Sequence, residues 1–236
     1  MTDVHSHVLY GIDDGSKNID ESIELLKKLS SVGFTNVIAT PHYIEGSEYA
    51  CVNKEKLKIF NTLKKRIKKE NININLYLGN EVFVNKHMAE DIKENKIYTL
   101  NNSKYLLFEL SFHDEILNLP DIIYELKLEG YTPILAHPER YVYFWKNRQL
   151  LDDLKKEGLL FQANYSSILG YYGRHCKKQL KYLLKKGYID YLGTDIHHIK
   201  NTYVIDNFEK IKKKFIKIIG EDNFNKIQEN NNELIK

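Results

Sequence analysis

Cysteine is scarce in this sequence: two residues, Cys51 and Cys176, in 236. Two cysteines cannot staple a disulfide framework, and their scarcity predicts a reducing compartment. Nor can either start a Cys-x5-Arg phosphate loop, because the position six residues on holds Leu57 after Cys51 and Tyr182 after Cys176. That excludes a thiolate phosphatase of this kind. The N-terminus has no basic-then-apolar segment, and no apolar run reaches membrane-spanning length, so the expectation is a cytoplasmic protein without membrane insertion. An excess of one charge is also missing. With 35 Lys+Arg against 32 Asp+Glu the net charge is +3, too balanced for nucleic-acid binding as the main task. The lysine runs around Lys64–Lys69 and Lys210–Lys214 read as solvated helix faces.

Strand and helix patterns alternate along the chain. Strands are predicted over residues 1–7, Asn36–Thr40, Asn73–Leu78, Tyr105–Leu110, Thr132–Ala136, Leu159–Asn164 and Tyr188–Leu192. Helical periodicity lies between them, over about Ile19–Val32, Asn53–Glu70, Lys86–Glu94, Leu119–Glu129, Asn147–Glu157 and His175–Lys186, and two polar, Lys-rich helices close the chain. This alternation predicts an α/β fold with a mainly parallel sheet. No linker or break in composition divides the chain, so a single domain over 1–236 is expected.

Nearly every predicted strand ends in a potential metal ligand: His5 and His7, Asp14, His42, Glu81, Glu109, His137, Asp195 and His197. His5 and His7 are two residues apart on a strand, so they share a face, and Asp195 and His197 repeat that spacing. Glu109 lies between Phe108 and Leu110, where an unpaired carboxylate would cost several kcal/mol. A doubly wound sheet would gather ligands at one crevice, whereas a barrel brings all its strand ends to one mouth. Six of seven strands carry candidates, so a distorted (β/α)7 barrel is expected.

Five imidazoles and four carboxylates, without thiolate, suit two or three Mn, Fe, Zn or Co ions rather than a structural zinc site. Clustered cations polarise phosphoryl oxygens and deliver hydroxide at neutral pH, the chemistry of phosphoester hydrolysis. Arg140, close after His137, is suited to clamp a phosphate with two donors.

The motifs His5-x-His7, Gly11-Ile-Asp13-Asp14-Gly15-Ser16, Thr40-Pro41-His42, Gly79-x-Glu81, Glu109, His137-Pro138-Glu139-Arg140-Tyr141 and Asp195-x-His197 resemble the PHP (polymerase and histidinol phosphatase) superfamily. Within it they are most similar to the bacterial protein-tyrosine phosphatases that regulate capsule and exopolysaccharide synthesis. The resemblance implies three divalent ions, most often Mn²⁺, with Fe, Zn, Co or Mg as alternatives. One ion would take His5, His7, Glu81 and Asp195. A second would share Glu81 and add Glu109 and His137, and a third would sit among Asp14, His42 and His197. Arg140 would bind the phosphate, and His42 could also carry a proton to the leaving group. The implied substrate is a phosphotyrosine protein, such as the tail of a bacterial tyrosine kinase of polysaccharide assembly. The second arginine common in this branch after Asp-x-His is missing; Lys200 is the nearest cation.

Two rival activities, a small-molecule phosphatase of the histidinol-phosphatase type and a nuclease, would use the same ions; a non-catalytic phosphotyrosine-binding module would need none of the hydrolysis. Phe112, Tyr141, Tyr143, Phe144 and Trp145, with the loop 165–173, are candidates for the walls of an aryl slot. His87, His113, His175 and His198 fall outside the ligand pattern.

Overall fold

The computed structural model describes all 236 residues. Every paired strand runs parallel to its neighbour, as an alternating α/β chain requires. The strands are β1 (Thr2–Ser6), β2 (Asn36–Ala39), β3 (His42–Tyr43), β4 (Asn75–Leu78), β5 (Glu81–Phe83), β6 (Tyr105–Glu109), β7 (Thr132–Ala136), β8 (Leu160–Asn164) and β9 (Tyr191–Gly193). They form a three-stranded sheet in the order β1-β2-β4 and a six-stranded sheet in the order β3-β5-β6-β7-β8-β9. The two sheets curl toward each other. Past β9, the amide of Asp195 donates to the carbonyl of His5 and the amide of His7 to that of Ile196, linking the last strand to the first.

Two predicted strands are each broken in two. Pro41 lacks the N–H a ladder needs and separates β2 from β3. Gly79 and Asn80 separate β4 from β5, and a Cβ on Gly79 would come within 2.8 Å of the Leu100 side chain. Asn80 joins the two breaks, donating from its amide nitrogen to the carbonyl of Pro41 at 2.9 Å. Each break is followed at once by a candidate ligand, His42 or Glu81, and these two residues pair in register.

The helices are α1 (Ile19–Ser31), α2 (Asn53–Lys69), α3 (Met88–Lys93), α4 (Leu119–Leu128), α5 (Val142–Lys146), α6 (Gln149–Lys156), α7 (Arg174–Lys186), α8 (Tyr203–Asp206), α9 (Phe208–Ile219) and α10 (Glu221–Glu233). The sequence pattern missed α5, a short aromatic turn of helix, and α8. The Asn18 side chain caps α1 by accepting from the amides of Asp20 and Glu21. No helix is long and apolar enough to cross a membrane.

The main apolar core joins helices and strands. A second cluster, including Val4, Ile38, Leu107, Ile134 and Tyr191, draws on five strands. Leu107 lies two residues before Glu109 and so shares its face of β6; the small cluster is the floor on which the polar residues stand. The last helix is less peripheral than its polar sequence suggests. Asn231 is fully buried, donating to the carbonyls of Thr2 and Leu192 and accepting from the amide of Leu192, so α10 ties β1 to β9.

Candidate metal centre

All nine residues singled out at the strand ends meet at one place. The Nε2 atoms of His5 and His7 are 3.2 Å apart. They lie 3.1 and 3.3 Å from Oε2 of Glu81, and Nδ1 of His42 approaches the same oxygen at 3.2 Å. His137 touches the other Glu81 oxygen at 2.8 Å. Glu109 faces Nδ1 of His42 at 3.2 Å. Oδ1 of Asp195 stands 3.6 Å from both His5 and His7, and 3.5 Å from Nδ1 of His197. Asp14, exposed at the rim, faces His42 at 3.6 Å and His197 at 3.5 Å.

Oε2 of Glu81 is buried and accepts no hydrogen bond, although three imidazole nitrogens stand around it. A cation among them would satisfy the oxygen, and N/O donors without thiolate suit a borderline or hard divalent ion. Donor atoms come within 4.8 Å of one another in three groups: His5, His7 and Glu81; His42, Glu81 and Glu109; and His7, Asp14, His42 and His197. His7, Glu81 and His42 each occur in two groups, so the ring of His42 faces the centre as well as the rim.

The tautomers suit ligation. Asp13 is buried and, against the effect of burial, His7 holds its carboxyl below the usual range. It can therefore only accept, so Nδ1 of His7 donates to it at 2.7 Å, and it is Nε2 that turns a lone pair to the centre once a cation displaces its proton. Gln162 does the same for His5, its Oε1 lying 2.8 Å from Nδ1. The Gln162 amide is oriented by its own donation to Asn164 at 3.0 Å. Asp13 has only a weak sequence signal, as one of two loop carboxylates, and Gln162 has none.

Burial disfavours charge on His5, but Glu81 and Asp195 outweigh it and push the ring up to about 9. Burial and the imidazolium of His7 act the other way on His197, whose ring stacks on His7 at 3.8 Å and is lowered to about 4. Burial would raise the carboxyls of Glu81 and Asp195, yet the surrounding imidazoles hold both below their ordinary range. The carboxylates favour positive charge at the centre, and a bound cation would displace imidazole protons.

The backbone is tight here. His137 and Asp195 have φ of 34° and 53°, left-handed values that are uncommon for residues other than glycine. A Cβ on Gly15 would lie 2.2 Å from the His7 carbonyl, and one on Gly193 would lie 2.6 Å from the His5 Cβ. Both glycines let backbone press against a ligand strand.

Arg140 does not pair with its neighbour Glu139, which is buried and accepts from Ser167 and the amide of Asn164. Its guanidinium donates to Oδ2 of Asp195 at 2.9 Å. It lies between the rings of Phe112 and Tyr172, 4.5 and 4.4 Å from their centroids. Oδ2 also accepts from Asn164 at 2.6 Å and from the Tyr172 hydroxyl at 3.3 Å. Asp195 thus turns one oxygen to the imidazoles and the other to Arg140. Lys200 is exposed and forms no ion pair. His113 and His175 are exposed, while His87 and His198 are partly so.

The chain also has relatives among known proteins. The model of the family described as "Capsular polysaccharide synthesis, CpsB/CapC" matches residues 1–236. A Staphylococcus aureus protein, CapC, is 36% identical over 85% of this chain and 78% of its own length. The tyrosine-protein phosphatase YwqE of Bacillus subtilis is 30% identical over 91% of this chain and 85% of its own. A crystal structure from work on YwqE and the Streptococcus pneumoniae protein CpsB, described as unique metal-dependent tyrosine phosphatases, superposes with a TM-score of 0.90 at 27% identity, covering 100% of this chain and 94% of that one. An amidohydrolase from Mycoplasma synoviae, with a TM-score of 0.63 at 14% identity and coverage of 100% and 87%, shares the fold.

Proposed function

Because this chain belongs to the CpsB/CapC family of capsular polysaccharide synthesis, we propose that it is a metal-dependent protein-tyrosine phosphatase. Its relatives carry that activity in their names. The convergence of three imidazoles on the unpartnered Glu81 oxygen is the observation that carries the reading. Counting each broken strand as one turns the curled sheet into a distorted (β/α)7 barrel, one domain with the site at its mouth.

In this reading three divalent ions, Mn²⁺ foremost, are held by His5, His7, Glu81 and Asp195; by Glu81, Glu109 and His137; and by Asp14, His42 and His197. The observed grouping contains the third set whole, with His7 added; it holds the first set without Asp195 and the second without His137, and it brings His42 beside Glu81 and Glu109. Such ions would polarise the phosphoryl oxygens and supply hydroxide at neutral pH.

The protein contributes the rest. Asp13 and Gln162 keep the His7 and His5 lone pairs inward. Arg140, held flat between two rings, offers donors in a plane that matches two phosphate oxygens. Its charge offsets the negative charge that grows on the phosphoryl group. The leaving phenolate has a conjugate acid of pKa ~10, so it departs with little help. Any proton it needs we assign to His42, which is less buried than the imidazoles of His5, His7 and His137. The protein substrate in this reading is the tyrosine-phosphorylated tail of a kinase of polysaccharide assembly, and the free cysteines favour a reducing, cytoplasmic setting.

Metal content of the purified protein, combined with turnover of a phosphotyrosine peptide, histidinol phosphate and single-stranded DNA, tests the proposal. Preference for the peptide, loss in EDTA and recovery with Mn²⁺ are expected. Full peptide turnover in excess EDTA after dialysis would overturn it; faster turnover of histidinol phosphate would favour the small-molecule reading.

A further inference from the structure

The aromatics expected to wall an aryl slot are mostly committed elsewhere. Tyr141, Tyr143 and Phe144 are buried in the core, and Phe112 is stacked on Arg140. Two depressions flank the Arg140–Tyr172 pair. One, of about 250 Å³, runs past Val142, Trp145 and Cys176 and contains none of the nine candidate ligands. The other, of about 210 Å³, contains Asp195 and His197 beside Arg140.

An aromatic path follows this second cavity. The Tyr172 ring lies over the Arg140 guanidinium. Tyr171 meets Tyr172 edge-on at 4.8 Å, and Tyr203 lies against Tyr171 at 4.9 Å. Tyr171 keeps 40% of its surface exposed. The Asn201 amide donates to the Tyr171 hydroxyl, tying the loop after β8 to the loop after β9. The path therefore begins at the guanidinium and ends at the surface.

The charge around the cavity is sparse. Arg140 is its only Lys or Arg, and the other polar groups at the outer end are the His198 imidazole and the Asn201 amide. A phosphate ester entering here meets one fixed cation besides any bound ions, so selectivity has to come from the group that carries the phosphate. Tyrosine rings recognise another ring by offset or edge contacts worth more than their buried area alone.

We propose that this cavity is the aryl subsite: the ring of phosphotyrosine rests on Tyr171 and Tyr203 while its phosphate reaches Arg140. The inference rests on the phosphatase reading above and adds to it the residues that select aryl over alkyl esters. Tyr171 and Tyr203 touch the ring and not the reacting atoms, so they set KM rather than kcat.

The test is steady-state hydrolysis of a phosphotyrosine peptide by the metal-loaded protein, with inorganic phosphate, which has no ring, as a competing inhibitor. Tyr171→Ala and Tyr203→Leu should each raise KM about fivefold, with kcat and the inhibition constant of phosphate unchanged. Tyr171→Phe keeps the ring and should restore the wild-type KM. Metal content equal to wild type shows that the site is intact. An unchanged KM in both truncations, or equal weakening of peptide and phosphate, overturns the subsite. Failure of the loaded wild-type chain to hydrolyse the peptide would overturn the phosphatase reading, and this inference with it, before any variant is made.

Discussion

His7 is bound through Nδ1 to the buried carboxylate of Asp13, 2.7 Å away, and that same Asp13 oxygen accepts the backbone amide of His42 at 3.0 Å. One carboxylate therefore sets the tautomer of one candidate ligand and the backbone position of another. Asp13→Ala should leave Nδ1 of His7 unpaired and free its ring. Losing a partner of this kind costs about 10–100-fold in metal affinity or activity. Calorimetric titration of the EDTA-stripped variant with Mn²⁺ checks this; wild-type affinity would show that Asp13 only shapes the loop.

Arg140 is held by two rings and a carboxylate, and Lys can reproduce only the charge. Arg140→Lys should keep part of the phosphate attraction but lose the planar pair of donors. Arg140→Ala should cost about 10²–10³ in kcat, the range for removing a group that stabilises transition-state charge. Its metal content should stay near wild type, because Asn164 and Tyr172 still hold Asp195. Steady-state kinetics alongside metal analysis separates the effects; a variant that loses its metal would place Arg140 among the supports of Asp195 instead.

How much of this was legible in the sequence depended on how singular each local signal was. The strand-end residues His5, His7, Glu109, His137 and Asp195 follow apolar runs or sit in turn motifs, so their clustering followed from topology alone. Asp13 was hidden by Asp14, since adjacent carboxylates in a loop do not reveal which one turns inward; here Asp13 is buried and Asp14 faces out. Lys56 was hidden by the lysines around it on α2, where one inward lysine looks like its solvated neighbours. Asn231, on a helix that reads as polar throughout, was hidden in the same way. The breaks at Pro41 and Gly79 were visible as punctuation, but their effect of turning His42 and Glu81 onto each other needs the register between strands.

Glu81 and Asp14 make a contrasting pair. Glu81 is buried and occurs in two of the three donor groups, while Asp14 is exposed and occurs in one. Glu81→Gln should therefore remove more than one ion per chain, and Asp14→Asn at most one. Metal analysis after dialysis against a weak chelator measures both. Equal losses would mean that the groups do not share Glu81.

Lys56 supplies a prediction about pH that does not involve the ligands. Its Nζ is buried, donating to Oδ1 of Asn80 at 2.7 Å and to the Lys96 carbonyl at 3.3 Å, with the Tyr43 and Tyr98 rings each 5.5 Å away. No carboxylate pairs with it, and burial pushes its pKa down to about 7, slightly offset by Cys51. In the unfolded chain a lysine titrates near ~10.4. Between these values the unfolded state holds a proton that the folded state has given up, so stability rises with pH across that window, by about 1 kcal/mol per unit. Lys56→Met keeps the apolar stem and removes the titration. Urea unfolding of the EDTA-stripped protein at pH 7, 8 and 9 should show wild type gaining on the variant as pH rises, while the His5 imidazole, pushed up to about 9, lowers stability over the same range in both proteins. Parallel curves for the two proteins would mean that Lys56 keeps its charge inside the fold, with the Asn80 and Lys96 oxygens and the two rings stabilising it.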